Sequence, residues 1–428
     1  MTKRKIAFKT LGCRLNQYET DALASQFHRQ GFDVVGFDHA ADVYVINTCT
    51  VTNQSDHKSR NMISQASRKK EDSVIVVTGC MADHYKKDLQ EQNSISYVVE
   101  NDKKSSVFNL IDSHFNGELT SSEKFEKDKF GFGIADKGFH TRSMIKIQDG
   151  CDNFCSFCIV PSVRGRAVSR PFIEIEENIT KVLELGFKEI VLTGVNIGRY
   201  SSNGLNFEGL VEKILDISGD FRVRISSMEP DGFGDRFIEL FDHPKLTPHL
   251  HLCLQSGSEK ILLKMRRMYT VKSFMEITKK LKKRIPDFNF TTDIIVGFPG
   301  ETEEDFQDTC RVSNEIGFSH IHTFKYSIRD TTRAARMDNQ VEEKVKNQRS
   351  KIIRDLSYQN RLEYFNRMLG KEQTVLTEKS RLGLAKGYGE HFIPVHIDEK
   401  IQRNNFVKVK LTGINKTNDP VMIAIPII

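Results

Sequence analysis

No apolar run in this chain of 428 residues approaches the ~20 residues that a helix needs to cross a bilayer, which speaks against membrane insertion. The first residues, MTKRKIAFKT, are basic but lack the long apolar stretch of a secretory signal, so a cytoplasmic protein is expected. Neither sign of charge dominates: 63 basic residues against 57 acidic ones leave a formal net charge of +6. That balance is compatible with an RNA partner without demanding one. Hydrophobic residues make up 38% and charged residues 28%, proportions ordinary for a globular protein, and the length implies two or three domains.

Short apolar runs alternate with helical stretches through the first third. Strands are expected at Ile6–Leu11, Val43–Asn47 and Ser73–Thr78, with a helix over 17–30 and a polar one ending near Arg68. This rhythm predicts an α/β fold that begins with a doubly wound parallel sheet. Residues 118–140, rich in Gly, Ser, Glu, Lys and Asp, read as a surface linker. The rhythm then restarts with MIKIQ, EIVLTG, FRVRISS, LHLCLQ, FTTDIIVGF and HIHTFKYS, about six strand–helix units that predict a partial or complete (β/α) barrel. A charged helix over 335–369 should turn Val341, Val345, Ile352, Leu356 and Phe365 inward. From Lys371 onward short β runs separated by Gly, Asn and Asp predict a small β-barrel. The expected domains are thus 1–117, 141–369 and 370–428 around a linker.

Cysteine is scarce and unevenly placed. Cys151, Cys155 and Cys158 form a CxxxCxxC cluster directly after an apolar run, and Cys13, Cys49 and Cys80 each follow a predicted strand. In a reducing cytosol such residues favour metal binding or catalysis over disulfides. Three thiolates cannot complete a four-iron cluster, so one iron would stay open to an exogenous ligand such as S-adenosylmethionine (SAM). Structural zinc is the competing reading, but closed zinc sites want four ligands and nothing nearby supplies the fourth. In a parallel sheet ligands gather at the carboxyl ends of strands, so Cys13, Cys49 and Cys80 should converge into a second three-cysteine site. Cys253, within HLHLCLQ, and Cys310, within a helix, read as packing residues.

With the string MIKIQDGCDNFCSFCIVPSVRGR the cluster resembles the radical-SAM superfamily, and more narrowly its methylthiotransferases; GCRLNQYET and NTCTVT resemble that family's N-terminal domain. The resemblance implies two 4Fe-4S clusters, the one on Cys13, Cys49 and Cys80 serving sulfur insertion. It implies that one SAM methylates sulfur and that a second yields the radical that abstracts hydrogen from the target carbon. It places Phe157 beside the SAM adenine, with a core phenylalanine as the plainer alternative. Asn16 and Glu19 belong to the matched string, though a helix cap and a solvated first-turn residue would also explain them.

Three later segments are candidates for the SAM pocket: Thr193, Gly194 and Asn196 for the methionine amino group, then Ser227 with Glu229 and Gln255 with Ser256 for ribose and carboxylate. Asp293 and the Gly297–Gly300 string also match the family, whereas Thr302 with Asp305 reads as a helix cap. YSIRDTTRAARM departs from the family pattern, with Thr331 for glycine and Arg333 for proline. The C-terminal barrel resembles the TRAM domain, an RNA-binding module, so Arg381, Lys386 and Lys408 could meet phosphates or be ordinary solvated charges.

TLGCRLN resembles the branch that acts on N6-threonylcarbamoyladenosine beside the tRNA anticodon. An isopentenyladenosine branch and a ribosomal-protein aspartate branch are the alternatives, and a non-catalytic iron–sulfur RNA-binding scaffold is the reading from another class. The implied partners are that tRNA and an electron donor such as flavodoxin or ferredoxin, with a monomer expected. Arg14, Arg164, Arg166 and Arg199 are candidate cations for the threonylcarbamoyl carboxylate.

Overall fold

The computed structural model describes residues 3–118, 120–135, 141–378 and 384–427, so Arg381 lies outside the described residues. The chain divides into two compact units. The first comprises Met1–His140, Gln148–Arg170 and Ser327–Thr332; the second comprises Thr141–Ile147, Pro171–Tyr326 and Arg333–Ile428.

The first unit is built on five parallel strands, β1 (Lys5–Thr10), β2 (Asp33–Val35), β3 (Val43–Thr48), β4 (Val74–Gly79) and β5 (Tyr97–Val99), in the order β2-β1-β3-β4-β5. The runs VYVINT and VIVVTG are buried along their whole length, as central parallel strands covered on both faces require. Helices α1 (Arg14–Arg29), α2 (Asn53–Ser67) and α3 (Cys80–His84) follow β1, β3 and β4. The register sets Thr10 beside Asn47 and Asn47 beside Thr78, so these three strands end level. The segment expected to be a surface linker lies mostly at the surface where it is described, anchored at a few points. Phe132 is buried against Tyr18, the Ser122 hydroxyl donates to the Val98 carbonyl (2.9 Å), and Lys129 donates to the Arg164 carbonyl (2.5 Å).

The second unit carries two parallel sheets. One orders Arg222–Ile225, Glu189–Thr193 and Ser143–Lys146; the other orders Ser227–Met228, His249–Leu252, Asn289–Val296 and His320–Lys325. Helices intervene along the chain at Phe172–Glu184, Phe207–Leu215, Val271–Arg284 and Glu303–Ile316. The expected strand–helix units are thus all present, as a partial (β/α) barrel. Thr302 and Asp305 form a reciprocal cap at the last of those helices.

The helix Glu343–Met368 corrects one expectation: Ile352 is exposed and Ile353 is buried in its place. Its inward face is largely polar. Arg349 donates to the Glu301 carboxylate (2.7 Å) and Asn360 to the Ser313 carbonyl (3.2 Å). Tyr364, Phe365 and Met368 then enter the core of a closed five-stranded barrel with Val375, Ile393, Val395, Val409 and Met422. That barrel is tied to the parallel sheet by Arg222, which pairs with buried Glu189 and donates to the carbonyls of Thr374 and Tyr388 (2.9 Å each). Among the described residues no helix is long and apolar enough to cross a membrane.

Candidate active site at the cysteine loops

Both three-cysteine sets lie in the first unit. Cys13 caps the N-terminus of α1 and is exposed, Cys49 follows β3 and is buried, and Cys80 opens α3 and is buried. A β-carbon on Gly12, whose φ is +92°, would stand 2.9 Å from the Cys49 Sγ, so only glycine lets the Cys13 and Cys49 loops meet. Burial raises the Cys49 thiol, and the neighbouring Cys13 adds to the effect. Burial pushes the Cys80 thiol up to about 11; Arg164 opposes that rise, while Cys13 and Cys49 add to it. Thiols gathered at level strand ends, with Cys13 close enough to raise both Cys49 and Cys80, could hold a metal cluster, whose positive charge would offset the cost of buried thiolates.

The CxxxCxxC loop is held by a short antiparallel pairing of Gln148–Asp149 with Val168–Ser169. A β-carbon on Gly150 (φ +72°) would fall 2.1 Å from the Arg166 carbonyl oxygen, so glycine is required there too. The Cys151 amide donates to the Gly165 carbonyl (3.1 Å) and the Cys158 amide to that of Cys155 (3.0 Å). Cys151 and Cys155 are buried, Cys158 and Phe157 half-buried. Cys80 packs with Ile159 and Val163, so the two cysteine sets adjoin within one unit.

A buried polar network joins them. Arg164 donates to both oxygens of Asp149 (3.0 Å each), to Glu19 Oε1 (3.1 Å) and to Asn16 Oδ1 (2.6 Å). Asn16 Nδ2 donates to the carbonyls of Leu11 (2.9 Å) and Thr48 (3.0 Å), next to the Cys13 and Cys49 loops. Glu19 also pairs with Lys104, and both side chains are fully buried. Burial opposes the charge on Arg164, but Asp149 and Glu19 outweigh it and raise its pKa. Asn16 and Glu19 are therefore neither a cap nor a solvated residue. They are the joints between the cysteine loops. Ser327–Thr332, the stretch with the atypical Thr331, adds to this unit: the Ser327 hydroxyl accepts from the Asn53 amide (3.0 Å) and Arg329 pairs with Asp56 (2.5 Å).

Replacing Arg164 with methionine would leave Glu19 and Asp149 buried beside one remaining cation. The expected cost is about 3–5 kcal/mol, and lysine, lacking the planar fork, should recover only part. Calorimetry on the anaerobic protein checks this; an unchanged transition would mean that water satisfies both carboxylates.

The second unit brings the other sequence candidates to the carboxyl ends of its strands. Thr193 and Asn196 are buried around half-buried Gly194, exposed Ser227 lies in the strand Ser227–Met228, and Glu229 pairs with the guanidinium of half-buried Arg267 (3.0 Å). Gln255 has a positive φ of 64°, and Ser256 is fully buried with its hydroxyl 3.3 Å from that of Thr309. Of the four candidate arginines, Arg164 is consumed by the buried network. Arg166 pairs with Asp152 and Arg199 with Asp231, and Arg14, next to Cys13 in the chain, is exposed. Sequence reading missed Asp149 and Lys104, the latter paired with Glu19 85 positions away.

Comparison with known proteins agrees with this layout. Residues 5–100 match the model described as "Uncharacterized protein family UPF0004", and residues 145–312 match the radical SAM superfamily. The chain is 39% identical, over 88% of its length and 85% of the relative's, to a threonylcarbamoyladenosine tRNA methylthiotransferase (MtaB) of Bacillus subtilis. It is 38% identical, over 88% of both, to a tRNA-2-methylthio-N6-dimethylallyladenosine synthase of Fusobacterium nucleatum. In fold it is similar to a radical SAM methyltransferase, TsrM, of Kitasatospora setae, with a TM-score of 0.56 at 14% identity, covering 78% of this chain and 77% of the other.

Proposed function

The chain belongs to the tRNA methylthiotransferases of the radical-SAM superfamily, and from that premise we propose that it converts N6-threonylcarbamoyladenosine beside the anticodon to its 2-methylthio derivative. It is an enzyme that uses SAM and 4Fe-4S clusters and acts on tRNA. Cys151, Cys155 and Cys158 would hold the cluster that serves SAM, and Cys13, Cys49 and Cys80 the cluster that serves sulfur. When bound, the clusters supply the electron for SAM cleavage and a docking point for sulfur. The observation that carries the reading is the hydrogen-bonded chain Asp149–Arg164–Glu19, which holds the two cysteine sets in one unit.

The chain's own residues would then divide the work. Gly12 and Gly150 fix the two cysteine loops, Arg164 and Lys104 balance the buried carboxylates, and Phe157 packs on the SAM adenine. Thr193, Gly194 and Asn196 would receive the methionine end of SAM, and Ser227, Glu229 and Gln255 its polar edges. Residues 1–117 serve the sulfur site, 141–369 serve SAM, and the barrel over 370–428 binds tRNA with Lys386 and Lys408 toward phosphates. The enzyme works as a monomer reduced by flavodoxin or ferredoxin.

The dimethylallyl-type relative keeps a second substrate in view. Threonylcarbamoyl carries a carboxylate and a hydroxyl, and a pocket that pairs with them is left unsatisfied by an apolar isopentenyl chain. Discrimination of about 10⁴ is expected in competition between the two modified anticodon stem-loops. Equal turnover, or preference for the isopentenyl form, would refute the threonylcarbamoyl assignment.

A further inference from the structure

Adjacent strands of the second unit's larger sheet carry an unusual face. His249, His251 and Cys253 alternate along one strand and just past its end, Asn289, Thr291 and Asp293 along the next, and His320 and His322 along the third. The register sets His251 beside Thr291 and Thr291 beside His320, then Asp293 beside His322. Most of the alternate positions, Leu250, Leu252, Phe290 and Ile294, are buried apolar residues, with Thr292 the polar exception among them. Such sheets usually fill with bulky apolar side chains on both faces, so a His/Cys/Asp layer at the carboxyl ends of strands invites a ligand.

We propose that His251, Cys253 and Asp293 bind a divalent metal ion of zinc's class, at a site separate from the six cysteines above. Their ligating atoms all lie within 4.8 Å of one another. His251 Nε2 stands 3.2 Å from Asp293 Oδ1, and Cys253 Sγ 3.8 Å from Asp293 Oδ2. Bonds of about 2.0–2.3 Å to a tetrahedral ion put donor atoms about 3.3–3.8 Å apart, close to the two separations given, and the set as a whole, within 4.8 Å, would draw together by about 1 Å at most on binding. The imidazole is already oriented, because its Nδ1 bonds to the Thr291 hydroxyl (3.0 Å) and leaves Nε2 toward the carboxylate. One nitrogen, one sulfur and one oxygen select zinc or a similar borderline ion over Mg²⁺ and Ca²⁺, which prefer oxygen alone. The side chains of His251 and Asp293 are 12% and 25% exposed, which leaves a fourth position open to water or an anionic oxygen ligand. This site does not depend on the methylthiotransferase reading.

The test is zinc-edge X-ray absorption on the holoenzyme, reconstituted with iron and sulfide and then equilibrated with about one Zn²⁺ per chain. The expected spectrum has one sulfur at about 2.3 Å with nitrogen and oxygen at about 2.0 Å. A shell of three or four sulfurs would put the zinc on the cysteine trios and overturn the proposal, as would failure to retain zinc through dialysis. Cys253→Ser and Asp293→Asn should each weaken zinc retention by roughly 100-fold with iron content unchanged, and Thr291→Val by about 10- to 100-fold. Zinc affinity unaffected by Cys253→Ser and Asp293→Asn would equally overturn it.

Discussion

Replacing Cys151, Cys155 and Cys158 together with alanine is expected to leave about four irons per chain, down from about eight, and to abolish reductive cleavage of SAM. The loop that carries them is fixed by its own backbone bonds and by Gly150, not by the thiols, so the fold should survive. Without that trio nothing on the loop delivers an electron to SAM. Iron analysis combined with detection of 5′-deoxyadenosine checks both halves. Cleavage that persists in the triple variant would sink the assignment of this loop.

The opposite triple variant, at Cys13, Cys49 and Cys80, should separate the two halves of the reaction. About four irons remain and SAM is still cleaved, but no methylthio product forms. Cys49 and Cys80 are buried and small, so alanine removes little volume, and the Asn16–Glu19–Arg164 network persists. Nucleoside mass spectrometry of tRNA incubated with the variant gives the answer. Product at the unmodified enzyme's level would mean that sulfur enters elsewhere.

The cysteines were legible because each ends an apolar strand, and a thiol at a strand end carries chemistry that few other residues imitate. The strands themselves were readable from their continuous apolar runs, within a residue or two at each end. What holds the cysteine loops together was not legible. Asn16, Glu19, Lys104, Asp149 and Arg164 are ordinary polar residues in sequence, and their meaning lies in partners up to 148 positions away. Periodicity failed for a related reason in the helix Glu343–Met368. Its inward face holds Lys346, Arg349, Ser357 and Asn360, so apolar spacing points to Ile352 although the buried position is Ile353. Cys253 is buried, as a packing reading requires, and the carboxylate beside it, Asp293, comes from a neighbouring strand 40 positions away.

The first unit takes its residues from three separated stretches, the last of them Ser327–Thr332. A ribosome must therefore add roughly 190 residues after His140 before Arg329 can reach Asp56, which at about 5–20 residues per second takes about 10–40 s. Through that interval the nascent sheet exists without its final strap, and before residue 159 emerges Cys80 has neither Ile159 nor Val163 over it. While the polypeptide is still growing, the thiols at the ends of β3 and β4 are therefore less covered than in the finished unit.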